Sequence, residues 1–509
     1  MKSLILAHDL GTTGNKATLY DAEGKLVGFA FSGYATHYAH PGWAEQNPND
    51  WWRAVCDSTR QLLAQAKVDK SDIACVSFSG QMMGCVLLGK DALPLRNAII
   101  WADQRATVQA ERVGSRIAAE EVYRITGHRL SAAYSLAKAL WLRDHHPHFA
   151  QTHKIVHAKD ALIARLTGRF VSDHSDASGT NLYDLRRRSW SEPILEASGL
   201  EAELWPEILE STDVAGGILP GVAEEVGLKA GTPVVVGGGD GMCAAVGAGV
   251  VREGRAYNYV GSSSWIALAT REPVLDPTGR TFCWAHMVKG LYSPCGTMQM
   301  AGGSYQWARD QLAGIEVGLA REQNISVYEL MNATAAGSPV GAKGLLFLPY
   351  LLGERSPRWN PNARGALVGL TVRHNRADLI RAVLEGITLN LGMILQAFTV
   401  QGVAIEAMRV IGGGAKGRFW NQMMADVYGL PVHRLAVLEE ATSMGAALAG
   451  GIGVGLYRDW NMAEQMNRVV DVLEPSPEAK AHYAKVQPVW DAAYQALEPV
   501  FEQLAELEP

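Results

Sequence analysis

Cysteine is scarce in this 509-residue chain, with six residues at positions 56, 75, 85, 243, 283 and 295. None forms a Cys-x-x-Cys pair and none joins histidines at zinc-ligand spacing, which argues against a structural zinc site. Reduced thiols of a cytoplasmic protein account for them. Charge is sparse too: 19% of residues are Asp, Glu, Lys or Arg, and the net charge is −6. No basic run marks a nucleic-acid partner. No stretch of about 18 apolar residues offers a membrane span. Low-complexity and linker-like segments are missing. The chain enters a strand at once, so no signal peptide is expected. What remains is 48% hydrophobic, an ordinary globular composition, at a length that needs two large domains rather than one core.

The most telling stretch runs from Leu4 to Lys16. An apolar strand ends on Asp9, the turn Gly11-Thr12-Thr13-Gly14 follows, and a second strand covers 15–21. Backbone N–H groups and hydroxyls in such a turn can wrap the terminal phosphates of a nucleotide. Asp9 sits where it can hold a magnesium ion. A plain hairpin with a polar turn would read the same way. The theme restarts in the second half, where strand 255–260, the turn Gly261-Ser262-Ser263-Ser264 and strand 265–270 follow one another. Two equivalent hairpins can clamp one phosphate chain from opposite sides; coincidence is the alternative. The expected domains are 1–249 and 250–509.

Periodicity predicts a third strand over 25–32, a helix from Pro48 to Ala66, and a strand over 73–79. Helices are expected over 106–119, 134–145 and 159–167. A short buried strand over 233–236 should end at Gly237-Gly238-Gly239-Asp240, before a small-residue helix over 241–250. Farther on, the pattern predicts helices over 303–312, 377–398, 419–428, 443–451 and 477–507, and strands over 344–349 and 407–411.

Several positions carry chemistry. Asp240 follows three glycines at the end of a buried strand, the usual place for a functional side chain in an open α/β sheet. A carboxylate there can take the proton of a substrate hydroxyl as its oxygen attacks phosphorus. Asp is equally a good helix cap. Gln81-Met82-Met83-Gly84 can line a substrate pocket or simply fill core. In Trp101-Ala102-Asp103-Gln104-Arg105, the Trp101 face can stack on a sugar while Asp103 reads hydroxyls; a buried Trp beside a capping Asp is the alternative. Gly412-Gly413-Gly414-Ala415-Lys416-Gly417 lets a ligand approach the backbone at a helix start, as would a plain strand-to-helix turn. It lacks the Gly-Lys-Ser/Thr of a Walker A loop.

Together these residues resemble the FGGY family of carbohydrate kinases. The most specific match is Gly365-Ala366-Leu367-Val368-Gly369-Leu370, seven further residues, and then Asp378-Leu379-Ile380-Arg381-Ala382-Val383-Leu384-Glu385-Gly386, which fits the family's C-terminal signature. Tyr134-Ser135-Leu136-Ala137-Lys138-Ala139-Leu140-Trp141 looks like the N-terminal signature but keeps only its Lys and Trp. The resemblance runs from Leu4 to about Tyr457. It implies two actin-like α/β domains of the ribonuclease H-like type around a central cleft, with ATP and Mg2+ as cofactors and a small sugar or polyol as acceptor. Asp9 would hold magnesium together with Asp240, which is also the implied catalytic base. Thr12, Thr13 and Lys16 would lie near the phosphates, with Gly261 and Ser262 in the second phosphate loop. Gly302 and Gln306 would supply further nucleotide contacts, and Gly413, Gly414 and Gly417 the adenosine side. Gln81, Met82, Met83, Trp101, Asp103, Asp240 and Gly241 would meet the acceptor.

Within the family the likeness is to xylulokinases, through 172–180 and 411–416, which implies a ketopentose such as D-xylulose as acceptor. Two positions depart. Xylulokinases usually carry Gln-Met-His-Gly where Gln81-Met82-Met83-Gly84 stands, and Asn where Gly241 stands. Both changes remove hydrogen-bonding groups from the acceptor site and leave another sugar, a polyol or an aldonate open. The class rival is an actin- or Hsp70-like ATPase without a sugar substrate, and a sugar-sensing regulator is a second. A homodimer is left open.

Overall fold

The computed structural model describes residues 3–507. Two sheets dominate. The first is built from β1 (Leu4–Leu10), β2 (Gly14–Tyr20), β3 (Leu26–Gly33), β4 (Ile73–Gly80), β5 (Val214–Gly217) and β6 (Pro233–Gly239), in the order β5-β6-β4-β1-β2-β3. The second is built from β7 (Arg255–Val260), β8 (Ser264–Leu268), β9 (Phe282–Ala285), β10 (Tyr292–Met298), β11 (Ala407–Ile411), β12 (Val432–Leu435) and β13 (Val469–Leu473), in the order β9-β10-β8-β7-β11-β12-β13.

The pairings repeat from one sheet to the other. Antiparallel β1/β2 corresponds to β7/β8, parallel β1/β4 to β7/β11, and parallel β4/β6 to β11/β12. The antiparallel pair β2/β3 corresponds to β8/β10. The two hairpins read from the sequence are therefore topological equivalents, and the expected pair of actin-like α/β domains is present.

Burial follows strand position. Ile5, Leu6, Ala7 and Leu10 of central β1 are all buried, as expected when both faces of a strand are covered. Edge strand β3 alternates instead: Ala30 is buried, while Val27, Phe29 and Phe31 are exposed.

The helices used below are α1 (Pro48–Ala66), α2 (Ala158–Thr167), α3 (Asp240–Gly247), α4 (Gly302–Leu312), α5 (Arg376–Thr399), α6 (Arg418–Tyr428), α7 (Ala441–Gly453) and α8 (Pro477–Leu507). Helix α1 packs on β2 and β3. Its start is fixed by Asn47, whose side chain accepts the Asn49 N–H, and by Pro48 in the first turn. Among the described residues α5 alone has the length and apolarity to cross a membrane, but 78% of its apolar window is buried inside the protein. It is the central helix of the second core. The C-terminal signature serves this packing: Asp378 accepts Ser338 Oγ at 2.6 Å, and Arg381 Nε reaches Glu385 Oε1 at 2.7 Å.

Small-residue helices α3 and α7 cross between the sheets. A Cβ on Gly445 would lie 2.0 Å from the Cys243 carbonyl oxygen, so the approach requires glycine. Helix α7 belongs to the second half of the chain, yet it packs on β1, β4 and β6 of the first sheet.

Three expectations needed correction. The helix over 106–119 is two helices, Thr107–Gly114 and Ala119–Thr126. Gly114 and Ser115 end the first turn pattern, and both are weaker helix formers than the residues around them. The strand over 233–236 continues through Gly239 with a register shift between Val235 and Gly238, because the glycine run lets the backbone approach neighbouring β4. The small-residue helix begins earlier than expected, at Asp240, and ends short of Val250, at Gly247.

Candidate active site

Strands β1, β4 and β6 run parallel, so their C-terminal ends lie side by side. Asp9 is near the end of β1, Ser79 near the end of β4, and Asp240 directly follows β6. Ser79 Oγ donates to Asp9 Oδ1 at 3.1 Å. Gly237 has φ +70°, and a Cβ there would lie 1.9 Å from the Phe78 carbonyl oxygen; only glycine fits this approach to β4.

The helix-cap alternative for Asp240 is not realised. Gly239 occupies the N-cap position of α3, without a side-chain cap bond, and Asp240 is the first helical residue. Its Oδ1 accepts the Gly241 N–H at 2.7 Å. Burial pushes the Asp240 carboxyl up to about 7, with the negative charge of Asp9 as the second cause. Burial likewise pushes Asp9 up to about 6, against the hydrogen bond from Ser79 and the charge of Lys16. Two partly buried carboxylates, one of which raises the proton affinity of the other, form a centre that welcomes either a proton or a cation.

A cavity of about 610 Å³ opens over this centre. Thr12, Thr13, Met82, Met83, Trp101, Asp240, Gly241 and Ser262 all line it. Trp101 Nε1 donates to Thr12 Oγ1 at 3.0 Å, joining the predicted acceptor wall to the β1–β2 turn. Met83 holds φ +65°, a strained value for a side-chain-bearing residue. Its carbonyl accepts Lys138 Nζ at 2.8 Å, and the same ammonium also donates to the Ala133 carbonyl. The Lys of the N-terminal signature therefore braces the segment that carries Met83.

Gln81 and Asp103 stand apart from the lining of this cavity. Gln81 Nε2 donates to Gln46 Oε1 at 2.8 Å, and Gln46 Nε2 in turn donates to the Thr12 carbonyl at 2.7 Å. Gln81 thus supports the hairpin turn from behind. Asp103 is fully buried; its Oδ2 accepts the Ala44 N–H at 2.6 Å and Arg105 Nη2 at 2.7 Å. Its oxygens are taken up in joining two chain segments, so it has none to offer a ligand. Lys16 also lies outside the cavity lining. It pairs across β2/β1 with Asp9 and reaches Glu440 Oε1 at 3.8 Å, a contact between the two halves of the chain.

A second cavity of about 610 Å³ lies against the other sheet. Gly261, Ser262, Gly302, Gln306, Gly413, Gly414 and Gly417 line it together, joining three sequence segments. Ser262 lines both cavities, which therefore meet at the β7–β8 turn. The start of α4 is tied to that turn, with Gly302 N–H on the Gly261 carbonyl and Gly303 N–H on the Ser262 carbonyl, each at 2.9 Å.

Sequence reasoning missed the aromatic lining. Tyr305, Tyr328 and Trp420 wall the second cavity, while Tyr257, Tyr259, Trp265, Phe282 and Trp284 wall the first. Tyr259 stacks on Trp265 at 4.1 Å between centroids. Tyr257 and Tyr259 alternate on β7 beside the polar turn, a signal that was available. Arg355 also lines the first cavity, and nothing in its local sequence marked it.

Two actin-like α/β domains, a cleft between them, paired carboxylates at strand ends and two facing turns define the class of sugar kinases and ATPases built on this fold. Comparison with known proteins narrows the class. The N-terminal domain of the FGGY family of carbohydrate kinases matches residues 4–247, and the C-terminal domain of that family matches 256–454. The chain belongs to this family, whose members use ATP to phosphorylate an alcohol group. It is 35% identical over 487 residues to the xylulose kinase of Bacillus subtilis (strain 168), covering 95% of this chain and 93% of that one. It is 30% identical over 513 residues to the gluconokinase of Bacillus licheniformis, covering 99% and 98%. The ligand-bound crystal structure of xylulose kinase from Lactobacillus acidophilus superposes with a TM-score of 0.91 at 30% identity, covering 98% of this chain and 99% of that one.

Proposed function

We propose that this chain transfers the γ-phosphoryl group of ATP to a hydroxyl of a small sugar, with a ketopentose such as D-xylulose as the first candidate. The observation that carries the reading is Asp240 at the head of a cavity that meets a second, glycine-lined cavity at one hydroxyl-rich turn. The working units are 1–249, with Asp240 and the first phosphate turn, and 250–509, with the nucleotide cavity, and both line the acceptor cavity.

In this mechanism Asp240 accepts the proton of the acceptor hydroxyl as its oxygen bonds to the γ-phosphorus. The bond between that phosphorus and the β,γ-bridging oxygen breaks, and ADP leaves. Thr12, Thr13 and Ser262, with the backbone N–H groups of the two turns, donate to the phosphate oxygens. The Gly413–Gly417 segment and Gln306 border the nucleotide. Trp101, Met82, Met83 and Gly241 border the acceptor. Cleft closure excludes water, which would otherwise take the phosphoryl group.

The carboxylates fit a divalent cation, because burial raises both Asp9 and Asp240, the charge of Asp9 raises Asp240 further, and a positive charge relieves both. Magnesium held by Asp9 with Asp240 would supply charge neutralisation at the β- and γ-phosphates. Six free and buried thiols suit a reducing, cytoplasmic setting.

A second reading, an aldonate acceptor, is supported by the gluconokinase relative. The test is ADP release with ATP alone and with D-xylulose, other pentuloses, hexuloses, polyols and D-gluconate. Stimulation by one acceptor class is expected. A rate unchanged across the panel would favour a sugar-independent ATPase.

A further inference from the structure

The acceptor cavity carries polar groups that the mechanism does not use. Arg355, Thr297 and Gln299 line it together with Met83, Phe282, Trp284 and Met298. Thr297 pairs with Trp265 of neighbouring β8, and Gln299 follows Met298, which pairs with Ser264, where the β7–β8 turn ends. The electrostatic neighbourhoods differ: the charge of Asp240 is felt at Tyr257 and Tyr259, that of Arg355 at His128, Tyr134 and Cys295. Among the described residues the Arg355 guanidinium has no protein hydrogen-bond or ion-pair partner. Thr297 Oγ1 is buried and also has none. A free guanidinium and an unsatisfied hydroxyl in one mostly apolar cavity call for an oxygen-bearing ligand.

The arrangement is built. Glu354, only 5% exposed, accepts the backbone N–H groups of Gln299 and Arg355 on the same Oε1, each at 2.8 Å. Its Oε2 accepts Asn390 Nδ2 at 2.9 Å. One buried carboxylate thus joins the end of β10 to the loop carrying Arg355 and leaves the guanidinium free to serve the cavity.

We propose that Arg355 and Thr297 form a subsite for acceptor oxygens other than the phosphorylated hydroxyl. The ligand chemistry is a run of hydroxyls or a terminal carboxylate. The inference rests on the kinase reading of the same site.

Steady-state kinetics of the full chain test it, with D-xylulose and D-gluconate as acceptors and the Arg355→Met and Thr297→Val substitutions. Arg355→Met is expected to raise the KM of a productive acceptor by about 10-fold, in line with loss of a hydrogen bond to a charged group, with kcat less affected and the KM for ATP unmoved. A neutral sugar should lose about 10-fold and a carboxylate-bearing acid about 100-fold, which distinguishes the two sources. Thr297→Val removes a hydroxyl without a protein partner, so KM should rise while the unfolding temperature holds. It also keeps the test open should the Arg355 variant fail to fold. An unchanged acceptor KM in both variants, or an equal rise in the KM for ATP, overturns the subsite while the kinase reading stands. Failure of wild-type protein to phosphorylate any acceptor overturns both.

Discussion

At the scale of single residues, the proposed mechanism divides the work between Asp240 and Asp9. Asp240→Asn keeps the shape and the Gly241 contact but cannot take a proton. Acceptor-dependent ADP release should fall by about 10²- to 10⁴-fold with an unchanged circular dichroism spectrum. The raised Asp240 carboxyl also fixes a pH limb. Its value of about 7 lies above the ordinary carboxylate range, so the ionised base is present above that pH and lost below it. The kcat/KM for the acceptor should therefore fall as pH drops through about 7, with the limb displaced downward when a divalent cation is bound, as a pH–rate profile would measure. Met83 is the third test. If the pocket is otherwise xylulokinase-like, Met83→His returns a hydrogen-bonding group to it, and kcat/KM for D-xylulose should rise. These positions were legible because strand ends, turns and glycine runs mark them locally. Asp103 and Gln81 were read as acceptor contacts because their partners lie far away in the sequence: Ala44 for the one and Gln46 for the other.

At the scale of elements, the repeated hairpin was readable because strand–turn–strand is a local pattern. That the two hairpins are equivalents depended on pairings with β4 and β11, which no local pattern contains. The break at Gly114-Ser115 was missed because the apolar spacing runs on through it. Tertiary approach also explains why the strand before Asp240 outlasts its β-branched residues, as Gly237 sits directly against Phe78. The crossing of α3 and α7 is the tightest such approach. Gly445→Val would drive a branched side chain into the Cys243 carbonyl region and should destabilise the protein by about 1–3 kcal/mol, read from the urea midpoint. The Lys138 brace is a second case. A buried ammonium on the Met83 carbonyl links a helix of the first domain to the acceptor wall, a role that its place in a signature did not reveal.

At the scale of the whole molecule, the two halves are less separable than their sequence suggests. Helix α7 covers the faces of β1, β4 and β6 that carry Ile5, Ala7, Cys75 and Val235. A fragment comprising 1–249 lacks that cover and should aggregate when expressed alone, while co-expression with 250–509 should restore soluble protein; sedimentation of the two preparations decides it. The same feature sets a timetable for synthesis. The strands of the first sheet are complete at Gly239, but the helix that seals them begins at Ala441, about 200 residues later. At about 5–20 residues per second, the nascent sheet waits roughly 10–40 s on the ribosome with an apolar face open, a window in which a chaperone, rather than the chain itself, must keep it from other nascent chains.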